Sequence, residues 1–383
     1  VESKLDAMIE FTVNEHNLEI NNAAQAQSQK IVAAQARAVQ TFTLNRPQSL
    51  NALDNDMCRA LANAIPRVAR NPDIYIVALL SNNPKAFCAG GDVLALSAAA
   101  KDDIETAKSY LRDEYSLNWL LECFSKPTVS FVNGLCMGSG AGLAAFNTHR
   151  IAGENYKWAM PETKIGLFPD VGIARILAKM PWPMGLYLGL TGRSIGRQDA
   201  QWLGLVTHCI SSSHFDDILS KLSDAHPVDP ILDGLNEHQE PGDLQKERGQ
   251  IIEHFSEPSL DRIFRSLSNA DSKGSEWAKR TLSGLRKCSP VSLAITHRHI
   301  RAALCFDIRE TLIEDYRLAV RCLENRDFHE GVRALLREKD GAPAWQPERY
   351  EDVATNMIDA YFAPLAEGDL ELPARTEMQA ARV

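Results

Sequence analysis

No run of this chain stays apolar for the roughly 18 residues that a membrane-crossing helix needs, so a soluble protein without a membrane partner is expected. Positive charge is also short. Lys and Arg number 41 against 50 Asp and Glu, a formal net charge of -9. A duplex nucleic acid partner would favour a clustered basic face, which this balance argues against. It leaves room for a small anionic ligand, because a local patch of cations and backbone amides can bind phosphate on an acidic protein. The eight cysteines, at 58, 88, 123, 136, 209, 288, 305 and 322, contain no CxxC pair. Neither a zinc ribbon nor a disulfide framework fits that scatter; reduced, mostly buried thiols in a reducing compartment do. The ten histidines include no HExxH. His297 and His299 are two apart and cannot share a helix face, and His329-Glu330 lacks the second histidine, so no metal is expected. Residues 1–20 hold Glu2, Asp6, Glu10, Glu15 and Glu19 against one lysine, the wrong charge for a transit peptide.

What is present is an ordinary globular composition, 45% apolar and 24% charged over 383 residues. That is enough chain for one large domain or a domain with a substantial appendage. Residues 8–19 read as an edge strand. Ala23–Ala38 is an Ala/Gln-biased stretch that suits either a helix or a poorly ordered insertion. From there strands alternate with helices. Val39–Asn45, Tyr75–Ser81 and Thr128–Asn133 are apolar or β-branched runs bounded by Pro, Asn or Gly. Asp54–Arg70 and Asp103–Phe124 carry apolar residues at helical spacing, with Asp54 suited to an N-cap and Pro66 expected to kink or end its helix early. The alternation predicts an α/β domain. His226–Gly242 reads as a long loop, and helical patterns dominate beyond it. Three parts are expected: residues 1–37, a core over 38–210, and a mainly helical region over 211–383.

Three segments carry the residues for chemistry. Lys85-Ala-Phe-Cys-Ala-Gly-Gly-Asp92 follows a strand; its small residues let the backbone curl around a ligand with amides facing outward, and Asp92 suits the next helix cap. Val132-Asn-Gly-Leu-Cys-Met-Gly-Ser-Gly-Ala-Gly142 also runs from a strand into a helix. Two such turns can aim two amides at one oxygen, as an oxyanion hole requires; each alone is equally an ordinary strand-to-helix turn. A serine nucleophile at Ser139 would need glycine two positions earlier, where Met137 stands. Trp158-Ala-Met-Pro-Glu-Thr-Lys-Ile-Gly-Leu-Phe-Pro-Asp-Val-Gly172 places Glu162 and Asp170 among apolar residues, either tuned for base or nucleophile work or simply capping helices.

Together with Thr43-Leu-Asn-Arg-Pro-Gln-Ser-Leu-Asn-Ala-Leu53, these segments resemble the crotonase (enoyl-CoA hydratase/isomerase) superfamily. Within it, PETKIGLFPDVG, Arg112-Asp-Glu-Tyr115, Ser289-Pro-Val-Ser-Leu293 and Asp327-Phe-His-Glu-Gly-Val-Arg-Ala-Leu-Leu336 resemble the 3-hydroxyisobutyryl-CoA hydrolases. The resemblance covers about residues 39–365 and implies a crotonase-like ββα superhelix with a helical C-terminal region. It implies that the Ala89 and Ser139 amides form an oxyanion hole and that Glu162 attacks a thioester or activates water. Asp170 is implied as a further catalytic residue, which would bind the substrate's 3-hydroxyl. Glu114, Gly91, Asp92 and Gly138 are implied to contact substrate; Lys85 and Arg46 are weaker candidates for coenzyme A phosphate. The family more often has glycine at the position of Ser139. Gly142 stands where hydratases carry the first of two glutamates, which weighs against water addition to a double bond. The implied activity is hydrolysis of a short 3-hydroxyacyl-CoA, most directly 3-hydroxyisobutyryl-CoA in valine catabolism. No cofactor is implied beyond the coenzyme A of the substrate. A homo-oligomer is implied, in the mitochondrial matrix of a eukaryote or the cytoplasm of a bacterium. The alternatives are an enoyl-CoA hydratase or isomerase, or a non-catalytic component of a mitochondrial ribosome.

Overall fold

Apolar strands that each end at a tight turn build two sheets in the computed structural model, which describes residues 29–383. The first sheet has the order β1-β2-β3-β5-β7-β10, comprising β1 (Ile31–Ala36), β2 (Val39–Leu44), β3 (Ile76–Ser81), β5 (Thr128–Val132), β7 (His149–Ala152) and β10 (His208–Cys209). The second has the order β4-β6-β8-β9, comprising β4 (Ala86–Cys88), β6 (Leu135–Met137), β8 (Lys157–Ala159) and β9 (Ile195–Gly196). All pairs are parallel except β1 with β2 and β8 with β9.

The connection rule is simple: β3 leads into β4, β5 into β6 and β7 into β8. Helices Val93–Asp102 and Ile104–Cys123 follow β4, and helix Ser139–Ala145 follows β6. This is a ββα superhelix whose successive corners stack. Gly134, at the β5–β6 corner, has φ 110°, and a Cβ there would lie 2.4 Å from the Lys85 carbonyl oxygen at the preceding corner. Only glycine allows that approach.

Several expectations need correction. The edge strand over 8–19 lies outside the described residues. Of the Ala/Gln stretch, Ile31–Ala36 is neither helix nor loose insertion but a strand, registered Ile31 to Leu44 through Ala36 to Val39. Pairing with the open edge of β2 overrides the helix preference of its alanines. Pro66 does not end its helix, which runs unbroken over Asn55–Arg70 from the Asp54 cap. Ile65, Val68 and Ala69 are buried on both sides of it, and that packing outweighs one lost hydrogen bond. The supposed loop 226–242 contains helix Val228–Asp233, which buries Val228 and Leu232 one turn apart. Pro230 falls in its first turn, where no N–H is needed.

The helices after residue 210 are not a separate layer of contacts. One apolar cluster runs from Phe42 and Leu44 in β2 through Leu318 and Phe328 to Val383. Among the described residues, no helix is long and apolar enough to cross a membrane.

If the corners stack as described, Gly134→Ala should lower unfolding free energy by roughly 2–4 kcal/mol in urea titrations, through clash and positive φ together. A loss near zero would contradict the stacking.

Candidate active site

The superhelix delivers three turns to one cavity of about 240 Å³. The first follows β4. Leu53 forms a parallel bridge with Gly91: its N–H donates to the Gly90 carbonyl at 2.8 Å and its carbonyl accepts from the Asp92 amide at 2.7 Å. In a parallel bridge the bonds go to the residues flanking the partner, so the partner's own N–H faces the other way. That residue is Gly91, whose amide makes no hydrogen bond among the described residues. The Ala89 amide, the expected donor, is spent on the Leu50 carbonyl at 3.1 Å. Ala89 still lines the cavity, but the outward amide of this turn belongs to Gly91.

The second turn follows β6. Gly138, at φ 48° and ψ -124°, opens helix Ser139–Ala145. The Ala141 and Gly142 amides bond to the Gly138 carbonyl, while the Ser139 amide precedes the helical ladder. The two turns meet: a Cβ on Gly91 would lie 2.8 Å from Ser139 Oγ. The third turn meets them as well, since a Cβ on Gly138 would lie 2.8 Å from Glu162 Oε1 and 3.4 Å from Gly90 Cα.

Glu162 begins a short 3₁₀ turn, Glu162–Ile165, and is 6% exposed. Its Oε2 is buried without a partner. Burial pushes its carboxyl up to about 8, with Glu114 adding to the rise and Lys164 opposing it. Glu114 comes from helix Ile104–Cys123 and is buried with Oε1 unpartnered. Burial lifts it to about 7, against the Ser139 hydroxyl, which favours its charged form. Asp170 completes the set. Tyr115 Oη donates to its Oδ2 at 2.7 Å. Burial, followed by the like charges of Glu114, Glu162 and Asp315, holds its carboxyl well above the usual range. Neither Glu162 nor Asp170 caps a helix with its side chain.

Gly142 now has a structural explanation. A Cβ there would lie 2.9 Å from both Cβ and Cγ2 of Val171, so the place of a side chain at 142 is taken by the neighbour of Asp170. Asp92 is absent from the cavity lining. It caps helix Val93–Asp102 through the Ala95 amide at 3.0 Å and binds Arg46 Nη2 at 2.7 Å. The same pair, with a further bond from Arg46 to the Ala52 carbonyl, engages Arg46 within the protein rather than toward phosphate. Both are scaffold for the first turn.

Sequence reading missed three contributors. Tyr115 closes the Arg112–Tyr115 motif, yet nothing local shows that its hydroxyl reaches Asp170. The apolar wall draws Leu96 and Leu111 from the core and Ala319, Leu323 and Leu336 from the C-terminal helices. The third is the buried pair His299 and Asp315, 2.6 Å apart. Among the described residues, no group of three or more His, Cys, Asp or Glu is placed to hold a metal ion.

The family model for enoyl-CoA hydratase/isomerase matches residues 39–362. The mitochondrial 3-hydroxyisobutyryl-CoA hydrolase of Xenopus tropicalis is 37% identical over 341 residues, covering 86% of this chain and 88% of its own. The 3-hydroxyisobutyryl-CoA hydrolase 1 of Arabidopsis thaliana is 35% identical, covering 93% of this chain and 97% of its own. Among solved structures, an enoyl-CoA hydratase from Rhodobacter sphaeroides 2.4.1 superposes with TM-score 0.83 at 31% identity, covering 90% of this chain and 100% of its own. A carnitinyl-CoA dehydratase from Mycobacterium thermoresistibile does so with TM-score 0.83 at 29% identity, covering 89% and 98%. A ββα superhelix with these turns, matched over this span, means that the chain belongs to the enoyl-CoA hydratase/isomerase family.

Proposed function

We propose that this protein hydrolyses the thioester of a short 3-hydroxyacyl-CoA, with 3-hydroxyisobutyryl-CoA the foremost substrate, giving 3-hydroxyisobutyrate and coenzyme A. The observation that carries this reading is the juxtaposition of the Gly91 and Ser139 turns with an unpartnered buried carboxylate oxygen of Glu162. A thioester carbonyl oxygen between the two amides gains stabilisation as it becomes an oxyanion, ~10²–10³ in rate per donor.

Two routes fit the arrangement. Glu162 attacks the carbonyl, expels the coenzyme A thiolate and forms a mixed anhydride that water then cleaves, or it takes a proton from a water that attacks directly. Hydroxylamine present during turnover converts an anhydride at Glu162 to a hydroxamate, which separates the routes. A thiolate is a good leaving group, so neither route needs a strong general acid, a metal or a cofactor.

Tyr115 engages one Asp170 oxygen and leaves the other for the substrate's 3-hydroxyl, with Glu114 on the same cavity wall. In a eukaryote the working place would be the mitochondrion, as named for the Xenopus relative; in a bacterium, the cytoplasm. A homo-oligomer belongs to the same reading. The hydratase reading gains from the solved neighbours and loses from Val171 lying over Gly142. Assays of crotonyl-CoA hydration and 3-hydroxyisobutyryl-CoA hydrolysis decide between them, since free thiol appears only in the second.

Glu162→Ala should nearly abolish thiol release while the protein stays folded by circular dichroism; a variant retaining most activity would sink the mechanism.

The pH dependence has a definite sign. Glu162 works ionised, and its carboxyl is lifted to about 8. The competent fraction therefore grows as pH rises, and kcat/KM should climb close to tenfold per unit from about 6, levelling above about 8. A profile that is flat or falling over that range would contradict the assignment.

Asp170→Asn should slow both substrates, but 3-hydroxyisobutyryl-CoA more than isobutyryl-CoA by ~10-fold or more, the usual scale for a polar site tuned to a substrate hydroxyl. Equal losses would show that Asp170 does not bind the hydroxyl.

A further inference from the structure

One buried ionisable pair behind the cavity is not used by the mechanism. His299, on helix Pro290–Ala302, and Asp315, on helix Ile308–Glu324, are 1% and 0% exposed. His299 Nε2 lies 2.6 Å from Asp315 Oδ1. The other Asp315 oxygen accepts the Gly172 amide at 2.7 Å. Gly172 is the second residue after Asp170, and the two lie in one turn.

That turn is strained. Val171, between them, has φ 52°, and Gly172 has φ 78°. A β-branched residue in the left-handed region is strained and persists only where surrounding contacts hold it. Four contacts do so here. Val171 packs on Gly142, Tyr115 bonds to Asp170, the Phe168 ring meets the His299 ring edge-on at 5.6 Å, and Asp315 grips the Gly172 amide. Besides the Ile173 amide's bond to the Asp170 carbonyl at 2.9 Å, which lies within the turn itself, the last is a polar hold on the turn's backbone that comes from another element. Its acceptor is a carboxyl oxygen; burial raises the Asp315 carboxyl above its ordinary range, while His299 and the Gly172 amide favour its charged form.

We propose that Asp315, backed by His299, is a positioning residue that fixes the 170–172 turn and so sets the Asp170 carboxyl against the substrate's 3-hydroxyl. This rests on the reading of Asp170 given above. Gly91, Ser139 and Glu162 stand on other turns and do not depend on the grip. Loss of Asp315 therefore weakens recognition of the hydroxyl more than it weakens thioester cleavage. A residue that merely held the fold together would lower both alike.

The test compares kcat/KM for 3-hydroxyisobutyryl-CoA and isobutyryl-CoA, read by thiol release, in the full chain. For Asp315→Ala the loss on the hydroxylated substrate should exceed that on isobutyryl-CoA by ~10-fold or more. Asp315→Asn should recover most of the difference, because its amide oxygen still accepts from Gly172 while its NH₂ faces His299 Nε2. A second variant avoids the risk that Asp315→Ala does not fold: a backbone ester at residue 172, with glycolate in place of glycine, deletes only the N–H. It should shift the substrate ratio in the same direction. Proportional losses on both substrates, or an unchanged ratio with the ester, would overturn the proposal. Asp170→Asn run in parallel separates the two layers. If it shifts the ratio while Asp315→Ala and the ester do not, the positioning role alone fails; if it does not, the reading of Asp170 fails as well.

Discussion

A carboxylate removed from water without a partner costs several kcal/mol in its charged form, and it escapes much of that cost by holding a proton. Glu162 is in this position, and the rest of the site follows from it. Its environment is set in part by backbone rather than by yielding side chains: Gly138 lies against the carboxyl, where a Cβ would be 2.8 Å from Oε1, and the Gly90 backbone lies beside Gly138. Glu114 and Asp170 add two more buried carboxyls, and like charges this near cannot all ionise freely. The free protein therefore stores protons and unmet acceptors in one small cavity. A thioester with a hydroxylated acyl chain, together with a water, supplies the donors that this cavity lacks.

The oxyanion geometry is a consequence of strand parity. Each ββα unit ends a short strand of the second sheet at the same level, so the turns after β4 and β6 face each other across the parallel β4–β6 pair. Which amide of the first turn points outward depends on the bridge to Leu53, and parity alternates residue by residue. Moving the bridge by one residue would turn the Gly91 amide inward. The Arg46–Asp92 ion pair and the Asn51 side chain, which bonds to the Phe87 carbonyl and Ser81 hydroxyl, hold that register. The Asn-Arg-Pro and Asn-Ala-Leu parts of the opening motif are thus scaffolding for a turn 36 to 46 residues later.

This explains what could be read in advance. Strands and helices with local punctuation were legible: Asp54 and Asp92 both cap the helices that their positions suggested. The three turns and the carboxylates Glu162 and Asp170 stood out because glycines and acids in an apolar run are locally unusual, whereas Glu114 came only with the family resemblance. The choice between the Ala89 and Gly91 amides was not, since it depends on pairing with a distant segment. Ile31–Ala36 was missed for the same reason, its strand being made by the edge it joins. Asp315 left a weaker trace, an acid inside the stripe Leu312, Tyr316, Ala319 and Leu323 of an amphipathic helix. A charge on a buried helical face is uncommon enough to be questioned.

That stripe also bears on what the C-terminal helices are for. Asp315, Ala319 and Leu323 stand at i, i+4 and i+8 on helix Ile308–Glu324 and therefore face one way. The first grips the turn of Asp170, and the other two form cavity wall. Gly166, which closes the Glu162 turn, is pressed on the Asp327 backbone: a Cβ there would lie 2.4 Å from the Asp327 carbonyl carbon. The superhelix thus supplies both amides and all three acids, while the helices after residue 210 hold the turns that aim two of those acids and shape the acyl space. An acyl-chain preference in this protein would consequently be written as much in Ala319, Leu323 and Leu336 as in the motif residues. A change in that wall would alter which thioester fits without touching the two amides assigned to the oxyanion.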